Sequence, residues 1–410
     1  MPQGIKSSYG NTTIVDRSMV EDLAFVSPQE YPLLHMITGG ALENPTLDSL
    51  STVCQETKYE WLEDEDLPRT WTGLVTTDGA TAFGVSVNLY VPVGALMANG
   101  DLVDQYISED TIIRVDGFIA GPTAAFEMVR VTNVNTTTHV MTVSRNWNGL
   151  GTQTFLSTSG TFTIVASAHR EGTDVPTPIN FFPSPKFNYV QESVMSFSLT
   201  EIEQAIKRYG IVDAIEYEAR KRMREITKMY NRACYYGTRT LSTASVPGAY
   251  GNIATFLDST LSTDQAAAAL TTNMVHSALQ NIVNFVGTTR APKVLVAGPW
   301  IRRRLTVLFS TTSLTAYQDA NSRTAGLKVE EIVTDFGNLQ VVLDPDCPPG
   351  ELYGLNTDMM GFGPLQGKGL RRIMLAKTGT ADKYAVAGNY TFEMRGSRCH
   401  FRLTNLSLTS

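Results

Sequence analysis

The chain has 410 residues, 42% hydrophobic and 18% charged, with a formal net charge of -7. That length allows two or three domains. The acidic balance excludes a protein that grips nucleic acid by bulk attraction, which needs many phosphate-facing Lys and Arg, but not a container that need not bind what it holds.

From the N-terminus, Met1-Pro2-Gln3-Gly4-Ile5-Lys6 lacks the apolar core of a signal peptide. No stretch approaches the ~18 consecutive apolar residues of a membrane span, so no membrane partner is expected. The sequons at Asn11, Asn135, Asn389 and Asn405 are therefore read as chance. Residues 1–50 read as an arm. A short helix is predicted over 16–26, stopped by Ser27-Pro28, followed by the apolar run Tyr31-Pro32-Leu33-Leu34-His35-Met36-Ile37. That run is too short to bury itself and must dock elsewhere.

Lys58-Tyr59-Glu60-Trp61-Leu62 predicts a strand that runs into an acidic cluster, Glu63-Asp64-Glu65-Asp66, closed by Leu67-Pro68. Residues 76–175 differ in texture, being rich in Thr, Gly, Val and Asn. Alternating runs at 83–91, 111–115, 127–132, 139–144 and 161–165 predict five or six short strands of a small barrel or sandwich, with a hairpin turn at 131–135. The change of composition at both ends marks an insertion. Pro176, Pro178, Pro183 and Pro185 precede an extended strand predicted over 186–199.

The longest signal is a single helix from Thr200 to about Tyr236. Ile202, Ile206, Tyr209, Val212, Ile215, Ala219, Met223, Ile226, Tyr230 and Ala233 fall on one stripe. Thr200 with Glu203 is a capping-box start and Gly237 a stop. At 1.5 Å per residue the helix is roughly 50 Å long, and it needs an extended surface to pack on, as in a subunit made for assembly.

A second helix is predicted over 264–286, a buried strand over 293–297, and a basic helix over 300–309. Strands at 330–334 and 339–343 are joined by Asp335-Phe336-Gly337-Asn338. A rigid turn at 344–350 leads to a strand at 351–355. Residues 362–369 read as a flexible connector, and strands are predicted at 371–375, 382–387, 390–395 and 397–403.

Chemistry is sparse. His35, His139, His169, His276 and His400 make no HxxxH or HExxH. The Gly-rich run at 362–369 fails the phosphate-loop spacing, and Lys377-Thr378-Gly379 has no SxxK partner. Cys54, Cys234, Cys347 and Cys399 form no CxxC pair, so neither a zinc site nor a disulfide framework is expected, and the expected compartment is a reducing cytoplasm. Cys399-His400 are neighbours on a strand and point to opposite faces. No enzyme activity, cofactor or metal is expected. The acidic cluster fits a catalytic carboxylate pair, a solvated loop, or a tip that meets basic residues of another copy. Arg220, Lys221, Arg222, Arg224, Lys228 and Arg232 offer such partners, and equally fit a solvated helix face. The candidate inter-subunit contacts are Trp61, Glu63, Asp64, Glu65, Asp66, Arg220, Arg222 and Arg224.

The order of these pieces resembles the major capsid proteins of tailed bacteriophages, with the HK97-type fold. The likeness is strongest in Tyr59-Glu60-Trp61-Leu62-Glu63-Asp64 before the Thr/Val-rich insertion, and in the long helix ending Ala233-Cys234-Tyr235-Tyr236-Gly237. A third stretch runs from Val333 to Asp344 and continues to Leu375-Ala376-Lys377-Thr378-Gly379. The resemblance implies an α+β capsid fold with a small all-β domain inserted in its extended loop. Residues 1–50 would be the N-terminal arm, 51–75 and 176–198 the extended loop, and 76–175 the insertion. Residues 199–240 and 365–410 would be the peripheral domain, and 241–364 the axial domain. It implies self-assembly into pentamers and hexamers of a head shell, with scaffolding, portal and decoration proteins as partners. The shell would enclose double-stranded DNA without sequence-specific binding and be assembled in the host cytoplasm. Two departures are visible. Lys228-Met229-Tyr230-Asn231-Arg232 stands where members carry an acidic patch, and no long scaffolding extension precedes the arm. An encapsulin-like nanocompartment shell and a β-rich carbohydrate-binding protein remain alternatives.

Overall fold

The computed structural model describes residues 31–39, 47–64, 69–75, 86–90, 102–116, 126–147, 149, 160–169, 171–172, 174, 179, 183–206, 211, 213–312, 331–377 and 379–408. The helix expected over 16–26 lies outside them. The apolar run that follows folds as a short helix, α1 (Pro32–Thr38). Pro32 sits in its first turn, where a missing N–H costs nothing, and Gly39 ends it in the left-handed region at φ 63. Leu33, Leu34 and Ile37 are buried, and the Leu34 N–H donates to Asn231 Oδ1 at 3.3 Å. The segment docks on its own chain. After it, β1 (Lys58–Glu63) alternates, with Tyr59 and Trp61 turned inward.

The next six strands are β2 (Thr70–Val75), β3 (Ser86–Tyr90), β4 (Thr111–Asp116), β5 (Phe126–Asn135), β6 (Val140–Ser144) and β7 (Gly160–Ser167). They close into a barrel in the order β2-β3-β6-β5-β4-β7, which leaves no open edge. Ile113, Val129, Val131, Met141, Val143 and Phe162 fill it. The hairpin turn does not fall at 131–135. Those residues pair within β5, with a bulge between Val131 and Asn133, because Val129 and Val131 continue the inward alternation. The chain turns at 136–139 instead, where Asn135 Oδ1 accepts the N–H groups of Thr137 and Thr138, an Asx turn.

The chain returns as β8 (Ser184–Tyr189), antiparallel to β1 from Lys58 opposite Tyr189 to Glu63 opposite Ser184, and continues as β9 (Gln191–Thr200). The single long helix expected next is two helices. The first, α2 (Glu201–Ala205), starts as anticipated, with Thr200 Oγ1 accepting the Glu203 N–H at 3.3 Å. At Ile206 the backbone is already extended (φ -76, ψ 125). The second, α3 (Ala214–Tyr236), starts afresh at Asp213, whose carboxylate accepts the N–H groups of Ile215 and Glu216 at 2.8 and 3.3 Å. Asp is far better as an N-cap than inside a helix, and Gly210 lies just before it. The apolar period runs through the break because it reports spacing, not capping. With 23 residues, α3 is about 35 Å long. Gly237 ends it at φ -59, outside the left-handed region. Glycine is required there by close approach: a Cβ would lie 2.4 Å from the Ala233 carbonyl and 2.7 Å from that of Tyr250.

A short helix, α4 (Ile253–Phe256), is followed by a three-residue strand, β10 (Ser262–Asp264). The helix expected from 264 begins later, as α5 (Thr272–Val286), capped by Thr271. Ala266 and Ala267 instead take φ 50 and 61. Tertiary pairing overrides the helical preference of the alanines: β10 runs parallel to residues 402–404, and the Ala267 N–H donates to the Asn405 carbonyl at 2.8 Å. Then come β11 (Val294–Ala297), α6 (Pro299–Thr312), β12 (Glu331–Thr334), β13 (Gly337–Leu343) and β14 (Leu352–Leu355).

The chain closes with β15 (Met360–Pro364), β16 (Arg371–Met374), β17 (Ala381–Met394) and β18 (Phe401–Thr404). The start of the expected 362–369 connector is therefore strand. Gly363 admits the segment 48–50 there, since a Cβ would lie 2.7 Å from Asp48 Oδ1. The two strands expected at 382–387 and 390–395 are one, because β9 pairs with it from Ala381 through Tyr390 and holds Gly388-Asn389 in register.

Two sheets organise this body. In one, β15 and β16 pair with β17, and β9 also pairs with it. Its core holds Tyr230, Tyr250, Phe362, Tyr390 and Phe392, with α1 and α3 packed against it. The other is six-stranded, in the order β10-β18-β14-β11-β13-β12. Leu279, Ile282, Leu295, Leu305 and Phe401 fill its core beneath α5 and α6. No described helix is long and apolar enough to cross a membrane.

Candidate assembly surfaces

The root of the β1–β8 ribbon is fastened to its own chain. Trp61 is 7% exposed and packs on Phe256 with ring centroids 5.3 Å apart. Within the subunit its side chain belongs to the core, which leaves little of it for a neighbour. Glu393, 1% exposed, receives the Ser51 N–H and hydroxyl at 3.1 and 2.6 Å and the Tyr59 hydroxyl at 3.2 Å. Glu63 is also engaged, accepting the Gly396 N–H at 2.9 Å and Trp61 Nε1–H at 3.4 Å. Asp64 is exposed. Glu65 and Asp66 lie outside the described residues. On the opposite face of the ribbon, Lys58 and Arg239 flank the Phe187 ring at 4.4 and 4.2 Å, and Leu62 is 69% exposed.

The basic residues of α3 also find partners nearby. Arg220 donates to Glu216 at 2.9 Å, Arg222 to Glu225 at 2.6 Å, and Arg224 Nε–H to the Arg220 carbonyl at 3.4 Å. Pairs spaced three or four residues apart contribute only a few tenths of a kcal/mol each. Arg232 reaches out of the helix to Asp346 at 2.7 Å.

That last contact belongs to a network that the sequence reading took only as a rigid turn. Asp344 is fully buried and accepts from Asn231 Nδ2, the Tyr235 hydroxyl and the Asp346 N–H at 3.1, 2.8 and 2.9 Å. Desolvation holds its carboxyl above the usual range despite these donors. The network ties the turn after β13 to α3. Asp344-Pro345-Asp346 signals the turn, but nothing local signals its partners more than a hundred residues earlier.

Cys399 and His400 do not act as a pair. His400 Nδ1 accepts the Asn356 N–H at 3.0 Å and its Nε2–H donates to the Arg395 carbonyl at 3.1 Å, which requires the neutral ring. Burial pushes this imidazole down from 6.5 to about 4. The unfolded chain therefore takes up the proton first. The stability contributed by neutral His400 is present above pH 6.5 and is lost as pH falls towards 4, by up to about 3 kcal/mol. We expect His400→Gln to flatten the acid limb of stability against pH in that window. An unchanged limb in urea titrations at several pH values would count against this assignment.

The four cysteines are free and buried, and burial raises every thiol, which makes them poor nucleophiles. Among the described residues no group of three His, Cys, Asp or Glu is placed to hold a metal ion. Large apolar side chains are exposed instead: Ile202 at 75% on α2, Met374 at 68% on β16, Val333 at 77% on β12 and Trp300 at 56% on α6. Such surfaces suit contact with other chains better than chemistry.

Residues 5–407 match the profile of the SU10 major capsid protein family. No curated protein matches the sequence. Among solved structures, the chain is similar to the capsid of an empty GTA particle, at 10% identity over 98% of both chains and a TM-score of 0.48. It is also similar to the cyanophage A-1(L) capsid, at 13% identity over 59% of this chain and 85% of that one, with a TM-score of 0.45. The SrpI encapsulin of Synechococcus elongatus PCC 7942 is 9% identical over 57% of this chain and 79% of that one, with a TM-score of 0.41.

Proposed function

Because this chain belongs to the SU10 major capsid protein family, a structural component of the virion whose copies build a shell, we propose that it forms an icosahedral head enclosing a double-stranded DNA genome. The match across residues 5–407 carries this reading. The fold is of the HK97 type, with pentamers and hexamers as capsomers. Residues 1–50 act as the arm, 51–75 and 176–198 as the extended loop, and 76–175 as the inserted β domain. Residues 199–240 with 365–410 make up the peripheral domain, and 241–364 the axial domain. Two strands cross these bounds: β18 pairs with β14 and β10 in the six-stranded sheet, and β15 with β17 in the other. Scaffolding, portal and decoration proteins are the partners, and assembly takes place in the host cytoplasm. The net charge of -7 suits a lining along which DNA slides during packaging. Family membership favours this over a cargo compartment and over a free carbohydrate-binding protein.

Glu63, Asp64, Glu65, Asp66, Arg220, Arg222 and Arg224 are the charged residues we assign to contacts between copies, and of these Asp64 and Arg220 are exposed. Asp64→Lys should lower the yield of closed shells by about threefold or more, consistent with charge complementarity that sets orientation. Sedimentation of the purified chain, expressed with and without a scaffold, reads the yield, and negative-stain microscopy reads the shape. Closed shells or rings of five and six are expected from the unmodified chain. A uniformly monomeric particle under both conditions overturns the shell reading, and an unchanged yield with Asp64→Lys removes that residue from the contact.

A further inference from the structure

We propose that the barrel carries on its outer wall a binding platform for a neutral, hydroxyl-rich glycan, built from Trp147, Arg130, Asp110 and His169. Val129 and Val131 point into the barrel core, so Arg130 between them points outward. Asn146, in the left-handed region at φ 53, turns the chain after β6, and the Trp147 N–H donates to the Met128 carbonyl at 2.8 Å. This lays the indole back over β5, where the Arg130 guanidinium sits 5.2 Å from its ring centroid. Trp147 stays 41% exposed. Asp110 is fixed beside them, its N–H donating to the Val131 carbonyl and its own carbonyl accepting the Ala168 N–H. Its carboxylate lies between Arg130 Nη1 and His169 Nδ1, each at 3.7 Å.

Those two distances are longer than hydrogen bonds, so both carboxylate oxygens keep capacity for a hydroxyl donor. The Arg130 Nε–H is buried and has no hydrogen-bond partner among the described residues. An exposed aromatic face beside under-used donors and acceptors is what a pyranose ring requires. Its C–H face stacks on the indole, and its edge hydroxyls meet the carboxylate and guanidinium. The opposed charges favour a neutral ligand: Asp110 repels an anion, and Arg130 repels a cation.

The proposal stands apart from the shell reading, since binding is measured whether or not the chain assembles. The test is affinity electrophoresis of the full chain through gels containing dextran, mannan or galactomannan, with anionic alginate as the comparison. At least one neutral glycan should retard the unmodified chain. Trp147→Ala should weaken that retardation about tenfold or more, a loss of about 1.4 kcal/mol. Trp147→Phe should retain most of it, and Asp110→Asn should weaken it. Because Trp147 is exposed, its two variants should unfold at the same temperature as the parent, which separates lost binding from lost fold. The proposal is overturned if no neutral glycan retards the chain, or if Trp147→Ala binds as well as the parent. Preference for alginate that grows on Asp110→Asn overturns it in favour of an anion site.

Discussion

Replacing Glu127 with alanine is expected to destabilise the barrel by about 3–5 kcal/mol, the range for breaking a buried ion pair from one side. Glu127 and Arg145 have side-chain exposures of 0% and 2%. Arg145 Nε–H and Nη2–H donate to the two carboxylate oxygens at 3.1 and 2.7 Å, and the Asn146 N–H donates to the same carboxylate at 2.9 Å. Removing the carboxylate takes the acceptor of two bonds from a guanidinium that is buried away from water. The penalty therefore comes chiefly from what remains. Replacing both residues together, by Glu127→Leu with Arg145→Met, should recover most of the loss, because no charge is left unpaired. Urea unfolding of the full chain with Trp61 and Trp300 replaced by Phe, followed by tryptophan fluorescence, reads the barrel through Trp147 and through Trp71, which is buried against Phe162. A single-variant cost below about 1 kcal/mol would show that the pair relaxes into water and is not a structural lock. Since Asn146 and Trp147 follow directly, Glu127→Ala should also weaken any glycan binding by the barrel.

The second large effect is at Phe401, where alanine should cost about 3–5 kcal/mol. Phe401 is fully buried and lies opposite Gly354 in the six-stranded sheet. Its ring covers the glycine so closely that a Cβ at 354 would lie 2.0 Å from Cε1. The ring supplies the side-chain volume that Gly354 lacks, as aromatics do across a sheet. Gly354→Ala alone should cost about 1–3 kcal/mol by overpacking. In the Phe401→Ala background the same change should cost much less, since the clashing ring is gone. Additive losses in denaturant titrations would mean that ring and glycine do not share the space.

The ribbon and the long helix suited assembly in sequence as in structure, but the residues chosen to mediate it fared unevenly. Arg220 and Arg222 lie along α3 as their spacing required, and their partners three and four residues away were open to the same reasoning. Trp61 and Glu63 also make contacts within the subunit that the sequence reading did not foresee. Trp61 sits beside an acidic run, which reads as surface, yet strand alternation turns it towards Phe256 and leaves Leu62 outside. The clue was present in Tyr59 and Trp61, two aromatic residues on one face of β1. Glu393 and Asp344 were out of reach, because a lone carboxylate in a strand or turn has the same local pattern whether it ends in water or in a buried network.

By itself, the sequence determined what depends on neighbours within a few residues. The Thr200 cap, the alternation of the barrel strands, the strand at β11 and the helix at α6 all rest on periods and caps that a short segment satisfies alone. Only the tertiary structure decided where one element stops because another claims its backbone. The alanine run at 266–269 is turned out of helix by the bonds of Gln265 to Thr404 and of Ala267 to Asn405, and 382–394 is one strand because β9 spans its glycine. The long helix breaks at Asp213 although its apolar stripe continues. In the first two cases the competing preferences differ by about 1 kcal/mol, and pairing with a distant segment outweighs a difference of that size, while at Asp213 the local cap wins over the stripe.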